Sequence, residues 1–191
     1  ISFLLALFNP APQKFILSGL TSLFGISNLY FFQQTTDYFS NYVDLNPFLH
    51  TWSLGVELQF YFFFPFILLL TGSLNNLKNS QKNLFLFNLF LFCSSLISFL
   101  ILYITNESAS YFLTSSRLWE LSAGSITFIG IRKRLPLFEK LKKLNSFPFI
   151  FLITLIFLCP VEIRWISTFL IVVFTSNFIT CIKKEDLFYK I

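Results

Sequence analysis

The sequence predicts an all-α protein, a polytopic transmembrane helical bundle with about five to seven membrane segments. Three observations predict it. Of 191 residues, 55% are hydrophobic and only 12% are charged, against about 25% charged in a soluble domain. Mean hydropathy is +0.70, and the apolar residues run in blocks rather than in the alternating patterns of half-exposed elements. The few charges gather in short patches between those blocks. A soluble globular domain is excluded on these grounds. The net charge of +5 does not argue for a nucleic-acid partner, because much of the basic charge sits in one short inter-helix loop. The absence of Met and an opening inside an apolar run at Ile1 read as an internal stretch of a longer protein, while the twenty-nine Phe fit an AT-rich genome rather than a device of the fold. The expectation is a single integral membrane domain over residues 1–191, truncated at its N-terminus and at its C-terminus.

The elements follow from the blocks. Ile1–Phe8 reads as the tail of a membrane helix, stopped by Asn9-Pro10-Ala11-Pro12. Phe15–Phe32 is apolar but diluted by Ser18, Gly19, Thr21, Ser22, Gly25, Ser27 and Asn28. It could span, or it could be re-entrant or interfacial. A polar loop with Asp37 and Asp44 leads to the stretch around which the chain is organised, Asn46–Pro65, NPFLHTWSLGVELQFYFFFP. It reads as a helix from about Pro47 to Leu70, with Asn46 as N-cap and Pro47 at the first helical position. Thr71–Asn83 is a short polar loop and Leu84–Ile104 a second clear span. Thr105–Ser116 is a loop, Arg117–Ile131 a short span, and Arg132–Lys143 a basic loop. Phe147–Pro160 and Ile166–Ile182 are apolar runs either side of a turn holding Glu162 and Arg164. Short basic loops face the cytoplasm. That places Arg132–Lys143 inside, with Lys78, Lys82, Lys183 and Lys184, and puts the Asn46 end of the organising helix and Thr105–Ser116 outside.

The polar residues inside these apolar blocks are the functional candidates. The chain's single histidine, His50, shares a helical stripe with Ser53, Glu57 and Tyr61, while Trp52 and Gln59 fall elsewhere. A carboxylate at membrane depth costs about 2.5–3.5 kcal/mol on insertion scales, so Glu57 is a buried acid, base or orienting group, or a helix–helix partner that locks the bundle. His50, in the first turn, is a candidate general base, since the helix dipole there disfavours the imidazolium. Equally it could cap the helix or hold Glu57. Ser53 could accept an acyl group, but hydroxyls in such helices usually bond their own backbone. Arg117, Glu120 and Gly124 share a face at the start of the next short span, on the same outer side. They either pair across the bundle or line a polar site with Glu57. Trp52 and Trp119 read first as anchors at the membrane boundary, with an aromatic wall for a sugar as the lesser alternative. Cys93, Cys159 and Cys181 lack metal-ligand or CxxC spacing, so buried thiols and no metal site are expected. Asn106-Glu107-Ser108 fits a glycosylation triplet that is common by chance.

The stretch NPFLHTWSLGVELQFYFFFP closely resembles the HTWSLxVEEQFY-type segment of the acyltransferase 3 family of membrane O-acyltransferases. Two further matches stand in the family's order: SNLYFF followed by DYFS over Ser27–Ser40, and SRLWELSAG over Ser116–Gly124. The resemblance implies a roughly ten-helix domain that transfers an acyl group, commonly acetyl, from cytoplasmic acyl-CoA to a carbohydrate hydroxyl outside. By position it implies catalytic roles for His50 and Glu57, and substrate-binding or supporting roles for Ser53, Gln59, Tyr61, Arg117 and Glu120. It also implies a catalytic Arg and His in a first helix that this sequence does not contain, so the fragment alone is expected to be inactive. The family often has a second carboxylate after Glu57; here Leu58 stands in its place. The expected setting is a bacterial cytoplasmic membrane, crossed several times, with the lipid bilayer, acyl-CoA and a glycan acceptor as partners. A transporter or flippase using the same buried carboxylates is the alternative.

Overall fold

A computed structural model of the chain describes residues 12–35, 46–73, 80–156 and 164–182. Every regular element among them is helical. The helices are α1 (Pro12–Leu23), α2 (Ser27–Thr35), α3 (Thr51–Leu70), α4 (Ser80–Thr105), α5 (Glu107–Phe112), α6 (Leu118–Arg132), α7 (Pro136–Leu141), α8 (Phe147–Ile156) and α9 (Arg164–Cys181), with a 3₁₀ turn at Thr114–Ser116. They form two compact units, divided between Leu121 and Ser122 within α6.

In the first unit, the apolar block from Phe15 to Phe32 is two short helices and not one span. The break is at Gly25, whose φ of +69° is in the left-handed region. Gly25 N–H donates to the Ser22 carbonyl (3.2 Å) and Ile26 N–H to that of Thr21 (2.9 Å), closing the two bonds of a Schellman motif. An L side chain would be strained here. A Cβ on Gly25 would also stand 3.2 Å from Leu58. The diluting polar residues explain why the broken segment packs inward: Ser18, Ser27 and Asn28 are fully buried.

The organising helix begins four residues later than expected. Asn46 caps a turn rather than the helix: its side-chain oxygen accepts from Phe48 N–H (3.0 Å) and from the Ser18 hydroxyl (3.3 Å). Residues 46–50 close with i→i+3 bonds, Leu49 N–H to Asn46 O and Thr51 N–H to Phe48 O, both 3.0 Å. These tight turns occupy the backbone groups that an α-helix starting at Pro47 would use. His50 is the N-cap residue and offers no side-chain cap. From Thr51 the helix continues through Pro65 to Leu70.

The 20 residues of α3 span about 30 Å and the 26 of α4 about 39 Å. They are the two described helices long and apolar enough to cross a bilayer. Two shorter apolar helices, Phe147–Ile156 and Trp165–Cys181, fall below that length. Of the five to seven segments expected, two thus meet the test of length and composition among the described residues. Neither is mostly buried among the described residues. Large apolar side chains such as Phe62, Phe63, Phe66, Phe90 and Ile101 point outward instead.

The expected loop from Thr105 to Ser116 is mostly helical. Asn106, extended at φ −155°, accepts from Ala109 N–H (3.0 Å) and caps α5; this is the structural role of the Asn-Glu-Ser triplet. α4 then holds the next turn through one hydroxyl. Ser95 Oγ donates to Ser115 O (2.6 Å) and accepts from Trp119 N–H (2.9 Å). Trp119 is consequently fully buried against Phe92 and Phe99. The expectation of a boundary anchor is corrected for this residue: the start of its helix is pinned to α4, which turns the indole inward.

In the second unit α6 ends in another Schellman motif, with Arg134 (φ +52°) where glycine is usual. Arg134 N–H donates to Ile131 O and Leu135 N–H to Gly130 O, both 3.1 Å. Pro136 then opens α7. Phe138 lies against Gly130 so closely that a Cβ there would meet its ring at 2.3 Å. Cys181 in α9 is buried and its thiol donates to Leu141 O (3.1 Å), while Cys93 in α4 is exposed. Cys159, Glu162, Asp37, Asp44, Lys78, Lys183 and Lys184 lie outside the described residues.

Candidate active site

The site is assembled by a polar triangle one step behind it. Gln59, on the inner side of α3, donates through Nε2 to Gly25 O (2.9 Å) and to Asn28 Oδ1 (2.8 Å). Thr114 donates its hydroxyl to Gln59 Oε1. Asn28 in turn donates through Nδ2 to Phe112 O (3.1 Å) and Thr114 Oγ1 (3.0 Å). Both amide nitrogens therefore spend both N–H groups, and both amide oxygens accept, which fixes the orientation of each amide. The triangle ties the α1–α2 break, α2, α3 and the α5–3₁₀ corner together. Close approach makes it possible: a Cβ on Gly55 would stand 3.0 Å from Ser27 Oγ and 3.2 Å from Asn28 Oδ1. Ser27 Oγ adds a bond to Thr51 O (2.7 Å), and the Ser22 and Thr51 hydroxyls share another (2.6 Å).

With α3 held in this register, its opposite side faces the first turn of α6. A cleft of about 90 Å³ forms there, lined by Trp52, Ser53, Val56, Glu57, Arg117, Glu120 and Leu121. That is room for several waters or a group of acetyl size. Arg117 is its most constrained member. It forms an ion pair with Glu120 through Nη1 and donates from Nε to Tyr111 O (3.1 Å). Its guanidinium lies 5.5 Å from the Trp52 ring centre and 5.0 Å from that of Tyr111. The two rings pack together at 4.4 Å, and Trp52 also meets Phe112 at 5.4 Å. Trp52 is thus a wall of the cleft, half-buried between elements, and not a free boundary anchor. Three guanidinium N–H groups make no hydrogen bond among the described residues. Glu57, exposed on its helix, makes none either. The cleft therefore offers one uncommitted carboxylate, one carboxylate held by arginine, and donors on the arginine itself. Such a set can accept a proton or hydrogen bond from a hydroxyl and stabilise negative charge on an adjacent oxygen.

Most of the residues singled out in the sequence meet here. Glu57, Ser53, Arg117 and Glu120 line one cleft. His50 does not line it; the residue is exposed before the first turn of α3, and Ser53 Oγ donates to its carbonyl (3.3 Å). Tyr61 is exposed and touches Phe60. Gln59 supports the site from behind. A Cβ on Gly124 would meet nothing. Sequence reading missed Asn28, Tyr111 and Thr114. Asn28 did carry a signal, an amide set in the apolar run Ile26–Phe32; Tyr111 and Thr114 sat in a stretch read as loop. Among the described residues no group of three His, Cys, Asp or Glu side chains could hold a metal ion.

By similarity the chain is related to O-acetyltransferases. It is 31% identical over 176 residues, 86% of its length, to O-acetyltransferase OatA of Staphylococcus aureus (strain NCTC 8325 / PS 47). It is also 30% identical over 154 residues, 77% of its length, to a protein of strain COL that is provisionally named an O-acetyltransferase. The chain spans about a quarter of the length of these curated relatives, 28% of the first and 25% of the second. No family model and no solved structure matches it.

Proposed function

We propose that this chain is part of a multi-pass O-acyltransferase of a bacterial cytoplasmic membrane, moving an acetyl group from acyl-CoA to a hydroxyl of a cell-envelope carbohydrate. The observation that carries the reading is the shared cleft of Glu57 and Arg117 in a relative of O-acetyltransferases. The outward-facing apolar surfaces of α3 and α4 support placement in a bilayer, and the basic loop after α6 supports an outward opening of the cleft. The roughly ten spans and the upstream catalytic residues implied by the family resemblance belong to the longer protein.

In this reading the acceptor hydroxyl oxygen attacks the acyl carbonyl carbon. Its proton passes to a base, the carbon–sulfur bond breaks, and the CoA thiolate leaves and is protonated. Glu57 accepts the hydrogen bond of the attacking hydroxyl and orients it. The free N–H groups of Arg117 stabilise the carbonyl oxygen as it gains charge. Glu120 and Tyr111 hold the guanidinium in place. Trp52 offers an aromatic face beside it. His50 stands outside the cleft at the head of α3, and an orienting role for it rests on the family resemblance.

The test uses the full-length parent in membranes given labelled acetyl-CoA. Glu57→Gln and Arg117→Ala should each lower label transfer to glycan by about 10²–10³-fold, and His50→Ala by less. Undiminished transfer in both cleft variants refutes the site. If no label reaches glycan while substrate still crosses the membrane, the transporter reading replaces this one.

A further inference from the structure

The whole net charge of the chain resides in twelve residues. Arg132, Lys133, Arg134, Lys140, Lys142 and Lys143 stand against a single acid, Glu139, and the rest of the chain has eight basic and eight acidic residues. A topology signal needs only this composition. The structure adds that the segment is built. The left-handed Arg134 turns the chain at the end of α6, Pro136 starts α7, Phe138 seats on Gly130, and the Cys181 thiol holds Leu141 O. Five of the six cations are exposed, Lys133 being the exception. Beside them Leu137 (64% exposed), Leu144 (48%) and Phe147 (65%) also face outward. A fixed turn that presents cations and large apolar side chains together suits neither bulk water nor a dry helix interface. It suits the boundary of a bilayer, with apolar groups among acyl chains and cations among phosphates.

We infer that the α6–α8 turn, residues 132–147, is a docking surface for the headgroups of anionic phospholipids. The inference rests on the membrane placement proposed above and is independent of the cleft. Charge complementarity selects the occupant: clusters of this size beside an apolar segment gain with each cation brought to an anionic surface.

The full chain is placed in lipid nanodiscs, which leave both faces open to protease, made of phosphatidylcholine alone or with phosphatidylglycerol. Trypsin cuts after the same cations, so its rate between Arg132 and Lys143 reports their occupancy. Phosphatidylglycerol should slow cleavage about tenfold or more, and molar salt should restore it, since screening shortens from about 10 Å to about 3 Å. Lys140→Gln/Lys142→Gln/Lys143→Gln should reduce the lipid protection of Arg132–Arg134. Equal rates in neutral and anionic discs overturn the proposal. So does equal protection in neutral discs by soluble pyrophosphate, which would make the turn a site for a free polyanion. A chain that fails to co-elute with neutral discs refutes the membrane placement itself, a separate readout from the anionic effect.

Discussion

Gln59→Leu removes the centre of the polar triangle while keeping the volume of the side chain nearly constant, so no cavity term intrudes. Three hydrogen bonds are lost: two donated by Gln59 to Gly25 O and Asn28 Oδ1, and one accepted from Thr114. Interhelical hydrogen bonds in membrane proteins average about 0.6 kcal/mol, which gives about 2 kcal/mol for the three. The orphaned Asn28 oxygen sits in a fully buried side chain, and an unsatisfied buried acceptor costs about 1–3 kcal/mol, so about 3 kcal/mol is the upper expectation. Unfolding in mixed micelles, followed by fluorescence of the buried Trp119, measures it. Thr114→Val alone and combined with Gln59→Leu closes a double-mutant cycle, whose coupling should be about 0.6–1.7 kcal/mol. Tyr61→Phe, on the exposed side of the same helix, should stay within about 0.5 kcal/mol of wild type. If Gln59→Leu also stays within that margin, or the two substitutions are additive, the triangle does not hold α3 in register.

Asn106→Ala should cost about 1 kcal/mol through the lost cap of α5, with faster exchange of the Ala109 amide, whereas Asn106→Asp should be nearly neutral. Because α5 carries Tyr111, whose carbonyl and ring hold Arg117, the alanine variant should also lower acyl transfer in the parent; transfer unchanged by a melted α5 would refute that link. Gly130→Ala should destabilise by about 1–3 kcal/mol, since its Cβ would meet the Phe138 ring at 2.3 Å; adding Phe138→Ala should remove the clash and make the second alanine more favourable than it is in the wild-type background. Arg134→Gly should raise stability by about 0.5–1 kcal/mol by relieving a left-handed L residue, and Arg134→Val should lower it; thermal unfolding decides both.

The sequence by itself determined the class and the cast. Blocks of apolar residues with few charges fix helices wherever backbone groups must be satisfied internally, and the long blocks Thr51–Leu70 and Ser80–Thr105 were legible to within a few residues. Glu57, Arg117 and Glu120 stood out because ionisable groups in apolar runs are expensive. The start of α3 was not legible, because Asn46 has two partners and only the fold shows that one is Ser18. The fate of the tryptophans was not legible either: period and composition give a face, but whether that face meets lipid or another helix depends on which hydroxyl pins the backbone. Tertiary structure alone decided that Gln59, Asn28 and Thr114 interlock and that Arg117 lies beside Trp52 and Tyr111. Those contacts join residues far apart in the chain, and no local period encodes the distance at which two helices stop approaching.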